Sequence, residues 1–173
     1  MFKKATIALV SALLLLPTLA SAKDMTGKFG LGYFLSDAPV GIRYWVTPKV
    51  GLDVGVGFEM ADLGEESATS FWFDIGIPYT VVGTERANFF IRPGVLFGIL
   101  DDRVYGSGLV DDTWTDITIT LAPGAEVFFG DNFSLEASHG IGVQILSPPE
   151  GDSLTNFATF GAGVSEIGFH FYF

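Results

Sequence analysis

From Lys28 onward the chain alternates, with an apolar side chain at one position and a glycine or polar one at the next. Phe29, Leu31, Tyr33 and Leu35 open the pattern. It continues through Val40, Ile42, Tyr44 and Val46, then Val50, Leu52, Val54, Val56 and Phe58, and later through Phe71, Phe73, Ile75 and Ile77. A period of two marks strands, because successive side chains leave opposite faces of a pleated chain. Apolar residues three and four apart would mark a helix, and no stretch after Lys23 shows them. The alternation predicts eight strands, over 28–36, 40–47, 50–60, 70–82, 88–100, 113–129, 133–146 and 159–173.

The connections fall into two alternating sets. Segments 47–49, 83–87 and 130–132 are short and carry turn residues. Segments 61–69, 101–112 and 147–158 are longer and share their end with the short 37–39. Three tight turns at one end and four connections at the other suit eight up-and-down strands. Ten residues at about 3.3 Å each, tilted about 40°, cover roughly 25 Å, the height of a lipid-facing band. The expected fold is therefore all-β: an eight-stranded antiparallel up-and-down transmembrane β-barrel.

The second face of the strands decides which side meets water. It carries many glycines, among them Gly30, Gly32, Gly55, Gly76, Gly94, Gly124 and Gly140, and the charges Arg43, Asp53, Glu59, Asp74, Arg92, Glu126, Glu136 and Glu166. A soluble barrel of the lipocalin kind keeps its apolar face inside. Glycine on its outer face would weaken the strands and pack nothing. A narrow lumen, in contrast, needs small residues to leave room for a few large charged ones. The apolar face is therefore expected to meet lipid, with the eight charges forming a lumen network. Lys28 and His170 are placed near the turn end. Arg43 and Arg92 should each bind carboxylates, because a lone buried charge is costly. Tyr44, Tyr79, Phe89, Phe129, Phe133 and Phe171 should form an aromatic girdle by the tight turns. Pro93 and Pro123 fall inside strands and predict bulges there. The last strand changes register near Val164, which predicts another. His139 falls on the lipid face.

Both ends of the sequence point to export. Met1-Phe2-Lys3-Lys4 is basic, an apolar run reaches Leu16, and Ala20-Ser21-Ala22 is small-x-small. That order predicts a cleaved secretory signal over 1–22 and a barrel domain over 23–173. The apolar run is shorter than the ~20 residues of a helical span. At the other end Phe169, Phe171 and Phe173 alternate with Gly168, His170 and Tyr172. A strand of this kind ending in Phe closes many bacterial outer-membrane barrels, and these three residues are the expected assembly signal. Removing Lys3 and Lys4 takes the formal net charge from −11 to −13. Such acidity excludes nucleic acid as a partner, since phosphate contacts need Lys and Arg. There is no cysteine, hence no disulfide and no thiol chemistry.

With these features the whole predicted mature chain resembles the small outer-membrane barrel families, of which the transmembrane domain of outer membrane protein A and outer membrane protein X are the nearest types. The stretch from Val40 to Phe58, VGIRYWVTPKVGLDVGVGF, looks like the second and third strands of that superfamily. The resemblance implies a monomer in the bacterial cell outer membrane. Its implied partners are outer-membrane lipids, lipopolysaccharide and, during biogenesis, the barrel assembly machinery. The chain shows no peptidoglycan-binding domain after the barrel, so peptidoglycan anchoring is not implied.

The sequence offers little chemistry. Two histidines, no metal-ligand spacing and no glycine-rich phosphate loop give no basis for a metal or cofactor. Some eight-stranded barrels are lipid A-modifying enzymes, which need a Ser–His–acid set. Ser138 and His139 are adjacent in one strand and point to opposite faces, so no enzyme is expected and no catalytic residue is assigned. The loops carry Asp62, Glu65, Glu66, Asp101, Asp102, Asp111, Asp112, Glu150 and Asp152. They form an acidic, solvated surface where divalent cations can bridge to lipopolysaccharide phosphates. The expected role is structural, in envelope integrity or surface contact, with a polar, mostly plugged lumen. The alternatives are a narrow cation-preferring or small-solute channel and a lipid A-modifying enzyme.

Overall fold

The computed structural model describes residues 22–64, 67–105, 112–159 and 164–173. Nearly all of the predicted leader, together with Glu65, Glu66 and Asp111, lies outside the described residues. The strand segments are β1 Phe29–Phe34, β2 Val40–Trp45, β3 Gly51–Asp62, β4 Ser67–Gly76, β5 Tyr79–Gly83, β6 Ala87–Asp101, β7 Thr113–Phe128, β8 Phe133–His139, β9 Ile141–Ser147, β10 Leu154–Ala158 and β11 Ser165–Tyr172. A single turn of helix, α1 Asp102–Tyr105, follows β6. Three pairs of segments, β4/β5, β8/β9 and β10/β11, are the two halves of interrupted strands. The segments thus make eight antiparallel strands. The barrel closes where β11 pairs with β1, from Gly30↔Tyr172 to Phe34↔Gly168. Closure leaves no open edge there, as lipid requires.

The interruptions have local causes, and they are not where the prolines predicted them. The β6–β7 ladder runs without a shift from Ala87↔Val127 to Asp101↔Thr113, although it contains Pro93 and Pro123. The breaks fall in the neighbouring strands instead. The Pro93 carbonyl accepts a hydrogen bond from Ile77 N–H (2.9 Å). A strand residue points its N–H and C=O the same way, so the donor that Pro93 lacks faces the gap between β4 and β5. Pro123 lies opposite the junction of β8 and β9, between Gly124↔Ser138 and Leu121↔Ile141. Gly140 makes that junction: an added Cβ would strike the Leu121 carbonyl and the Ala122 backbone. The last strand does lose register where its pattern changes. Ala158 pairs with Gly142 and Ser165 with His139, so the pairing advances seven positions along one strand while it advances three along the other. The strand also begins at Leu154, earlier than the alternation predicted.

The apolar face points outward. Ile75 and Ile119 are 54% and 52% exposed, while Asp53 and Glu126, on the opposite face, are 8% and 0% exposed. This is the inverse of a water-soluble barrel. Val54 and Phe169 also face out but are half-buried. Phe169 is covered by its neighbours, with ring centroids 6.1 Å from Tyr33, 6.0 Å from Phe133 and 5.7 Å from Phe171. Of the predicted girdle, Tyr44, Tyr79, Phe89, Phe129 and Phe171 are exposed and Phe133 is half-buried.

Candidate functional site in the barrel lumen

Inward positions on β2, β3, β4, β6, β7, β8 and β11 bring the charges together. Arg43 and Asp53 are direct cross-strand partners. Arg43 donates Nε to Asp53 Oδ1 (2.6 Å) and Nη2 to Asp53 Oδ2 (2.7 Å), a forked pair. The same guanidinium crosses the lumen. Its Nη2 donates to Glu136 Oε1 (3.1 Å), its Nη1 to Glu136 Oε2, and Nη1 also reaches Glu126 Oε2 (3.5 Å). Arg92 donates Nε to Asp53 Oδ2 (2.9 Å) and Nη2 to Asp74 Oδ2, and its Nη1 lies 4.0 Å from Glu166. Asp53 is therefore shared by both arginines. Two guanidiniums tie every barrel strand except β1 into one network.

Glycine makes the network fit. A Cβ on Gly76 would collide with the Arg92 guanidinium, and one on Gly30 would lie 2.7 Å from the Tyr172 ring. β1 contributes space, not charge.

Glu59 sits well up β3 from Asp53 and is exposed. The other seven predicted lumen charges converge. His170 joins them deeper than its expected place at the turn end, and Ser134 and Tyr172 are members that sequence reading did not name. His170, placed near the rim, is 1% exposed and sits among the acids, with Nδ1 3.8 Å from Glu126 Oε1 and 3.9 Å from Glu136 Oε2. Ser134 Oγ and the Tyr172 hydroxyl both donate to Glu126 Oε1, at 2.6 and 2.7 Å. A small cavity of about 20 Å³, room for one water, touches Asp53, Asp74, Arg92, Glu166 and His170.

Apolar plugs lie on both sides of the charges. At the turn end Met25, Trp45, Phe128 and Tyr172 pack together, and the segment before β1 folds across the mouth to place Met25. At the loop end Trp72, Leu96 and Leu100 pack with Ala38, flanked by Trp114 and Leu146. Ala38 arrives because the β1–β2 turn bends into the lumen. These residues occupy the parity of the glycines and charges, and that is the signal that was available for finding them.

On the outer surface the structure makes one polar pair the sequence did not suggest. His139 Nδ1 and Ser165 Oγ lie 2.6 Å apart, directly opposite across the β8–β11 ladder. Glu166, next along the chain, turns into the lumen.

No family model matches this sequence, and no curated protein is similar to it. A solved structure is similar in shape: the N-terminal β-barrel domain of OprF from Pseudomonas aeruginosa. The TM-score is 0.54 at 16% identity, and the match covers 86% of this chain and 98% of that one. The likeness is one of fold: this chain has the architecture of a small outer-membrane β-barrel.

Proposed function

We propose that this chain is an integral outer-membrane barrel whose work is structural or interactive, not transport. It resides as a monomer among outer-membrane lipids and lipopolysaccharide, after insertion by the barrel assembly machinery. Its leader, residues 1–22, is removed on export, and Phe169, Phe171 and Phe173 form its assembly signal. The carrying observation is the order of layers in the lumen, with an apolar plug on each side of a paired charge network. In a barrel of eight strands the interior is just filled by side chains, and here the network borders a cavity of water size. The outer Ser165–His139 contact is read as mutual satisfaction of two polar groups facing lipid, where an unpaired polar group costs several kcal/mol. It is not read as a catalytic dyad, because the adjacent carboxylate points to the other face.

The test is conductance of the refolded protein in planar bilayers. Closed membranes at all voltages support the plugged reading. Stable unitary steps with cation preference overturn it in favour of a narrow channel, toward which the surplus of lumen carboxylates would select.

A further inference from the structure

The geometry points to a metal site in the lumen: Glu126, Glu136 and His170 hold one divalent first-row ion of the zinc class. The three residues come from β7, β8 and β11, and one ligand atom of each lies within 4.8 Å of the others. His170 Nδ1 is buried and has no hydrogen-bond partner, yet it is aimed at the two carboxylates from 3.8 and 3.9 Å. Those separations are too long for hydrogen bonds and somewhat longer than the ligand–ligand spacing around a tetrahedral ion with bonds of about 2.1 Å. The three ligand atoms, within 4.8 Å of one another, share one ion once they close to that spacing. One imidazole nitrogen and two carboxylate oxygens suit zinc and its first-row neighbours better than calcium.

Charge supplies an independent reason. Asp53, Asp74, Glu126, Glu136 and Glu166 face only Arg43 and Arg92 in this cluster, so five carboxylates meet two guanidiniums. A bound dication removes most of that deficit, whereas a proton on His170 removes one charge and still leaves its nitrogen out of hydrogen-bond reach. The supporting contacts are already in place. Ser134 and Tyr172 fix Glu126 by donating to it, and Arg43 holds Glu136. Such orientation of metal-ligating carboxylates by neighbouring donors is the usual partner of a metal site. The ion would complete its coordination with water. The three ligands show no local spacing because they sit on three strands and meet only on barrel closure.

The inference goes beyond the plugged-lumen reading, because conductance and metal content can fail separately. The test is the metal content of the full chain purified in detergent from membranes without chelator. About one zinc-class ion per chain is expected. Chelation should lower the urea midpoint, and Zn²⁺ or Co²⁺ should restore it, Co²⁺ with the intense visible bands of tetrahedral coordination. His170→Asn should lose the ion, and His139→Asn, on the outer surface, should keep it. Should His170→Asn fail to fold, Glu136→Gln takes its place, and the Co²⁺ spectrum of the wild type decides alone. A folded wild type without metal, whose midpoint ignores Zn²⁺, Co²⁺ and Mn²⁺, overturns the proposal. So does loss of the ion in His139→Asn.

Discussion

Glu126 on β7 and Glu136 on β8 stand directly opposite each other across an antiparallel ladder, and the Arg43 guanidinium reaches from the far wall to both. Like charges at opposed positions are destabilising, so this pair is tolerated because of Arg43. Replacing Arg43 by Ala leaves Glu126 and Glu136 without an arginine and Asp53 with Arg92 alone, in a nearly dry interior. Breaking such a buried pair costs about 3–5 kcal/mol. The expected result is a marked fall in the urea midpoint of the barrel, followed by tryptophan fluorescence. Arg43→Lys should recover only part, since one ammonium cannot fork onto both walls. Adding Glu136→Gln to Arg43→Ala should recover some stability by removing one stranded charge. A wild-type midpoint for Arg43→Ala would show that the network is not a core.

Arg92 separates stability from permeability. It binds Asp53 and Asp74, so Arg92→Ala should lower the unfolding midpoint. It should not open a pore, because Trp45, Phe128 and Tyr172 still close one end and Trp72, Leu96 and Leu100 the other. Conductance should appear only when Arg92→Ala is combined with Trp45→Ala and Trp72→Ala. Unitary steps in the single variant would make the charge network itself the gate.

The architecture was legible in the sequence because a lipid-facing barrel leaves a strong signal at period two. Val, Ile and Phe at one parity and Gly with charge at the other gave the faces. The short and long connections gave the strand count. That Arg43 and Arg92 bind carboxylates followed from the cost of a lone buried charge, and Asp53 and Asp74 sit on the strands next to them. Contacts across the lumen, such as Arg43 to Glu136, depend on shear and tilt and have no local signature. His170 was misplaced because its distance from the chain end suggested a rim. The rings of Phe34 and Tyr172 flank the histidine, with centroids 4.9 and 5.5 Å away. The prolines were misread because a missing donor disturbs the strand it faces, not the strand it is in. The plugs escaped because Trp45, Trp72 and Phe128 are apolar residues on the polar parity.

Gly140 tests the account of the β8–β9 junction. Its would-be Cβ meets backbone atoms of Leu121 and Ala122, not the end of a flexible side chain. Backbone cannot step aside cheaply, and inserting a methyl into tight packing costs about 1–3 kcal/mol. Gly140→Ala should lower the unfolding free energy by about that amount and with it the urea midpoint. Gly32→Ala should cost less, because its added Cβ meets chiefly the His170 and Phe34 side chains. Equal midpoints for Gly140→Ala and the wild type would mean that β8 and β9 are interrupted for another reason.

The His139–Ser165 pair gives the sharpest contrast between a structural contact and a chemical one. Both side chains face outward, and each is the other's hydrogen-bond partner at 2.6 Å. Removing one partner leaves a polar group without a mate in an apolar surround, which costs about 1–3 kcal/mol. Replacing both by apolar groups of similar shape is close to neutral. Ser165→Ala should therefore destabilise the barrel in lipid vesicles, and His139→Leu combined with Ser165→Ala should return the midpoint to near the wild-type value. If the pair instead did chemistry, the single Ser165→Ala change would abolish a lipid-hydrolysing activity of the purified barrel while leaving its unfolding midpoint unaltered. Release of fatty acid from outer-membrane lipid extracts, measured beside urea midpoints of the two variants, separates these outcomes. The structural reading requires no release from the wild type and a double-variant midpoint above that of Ser165→Ala.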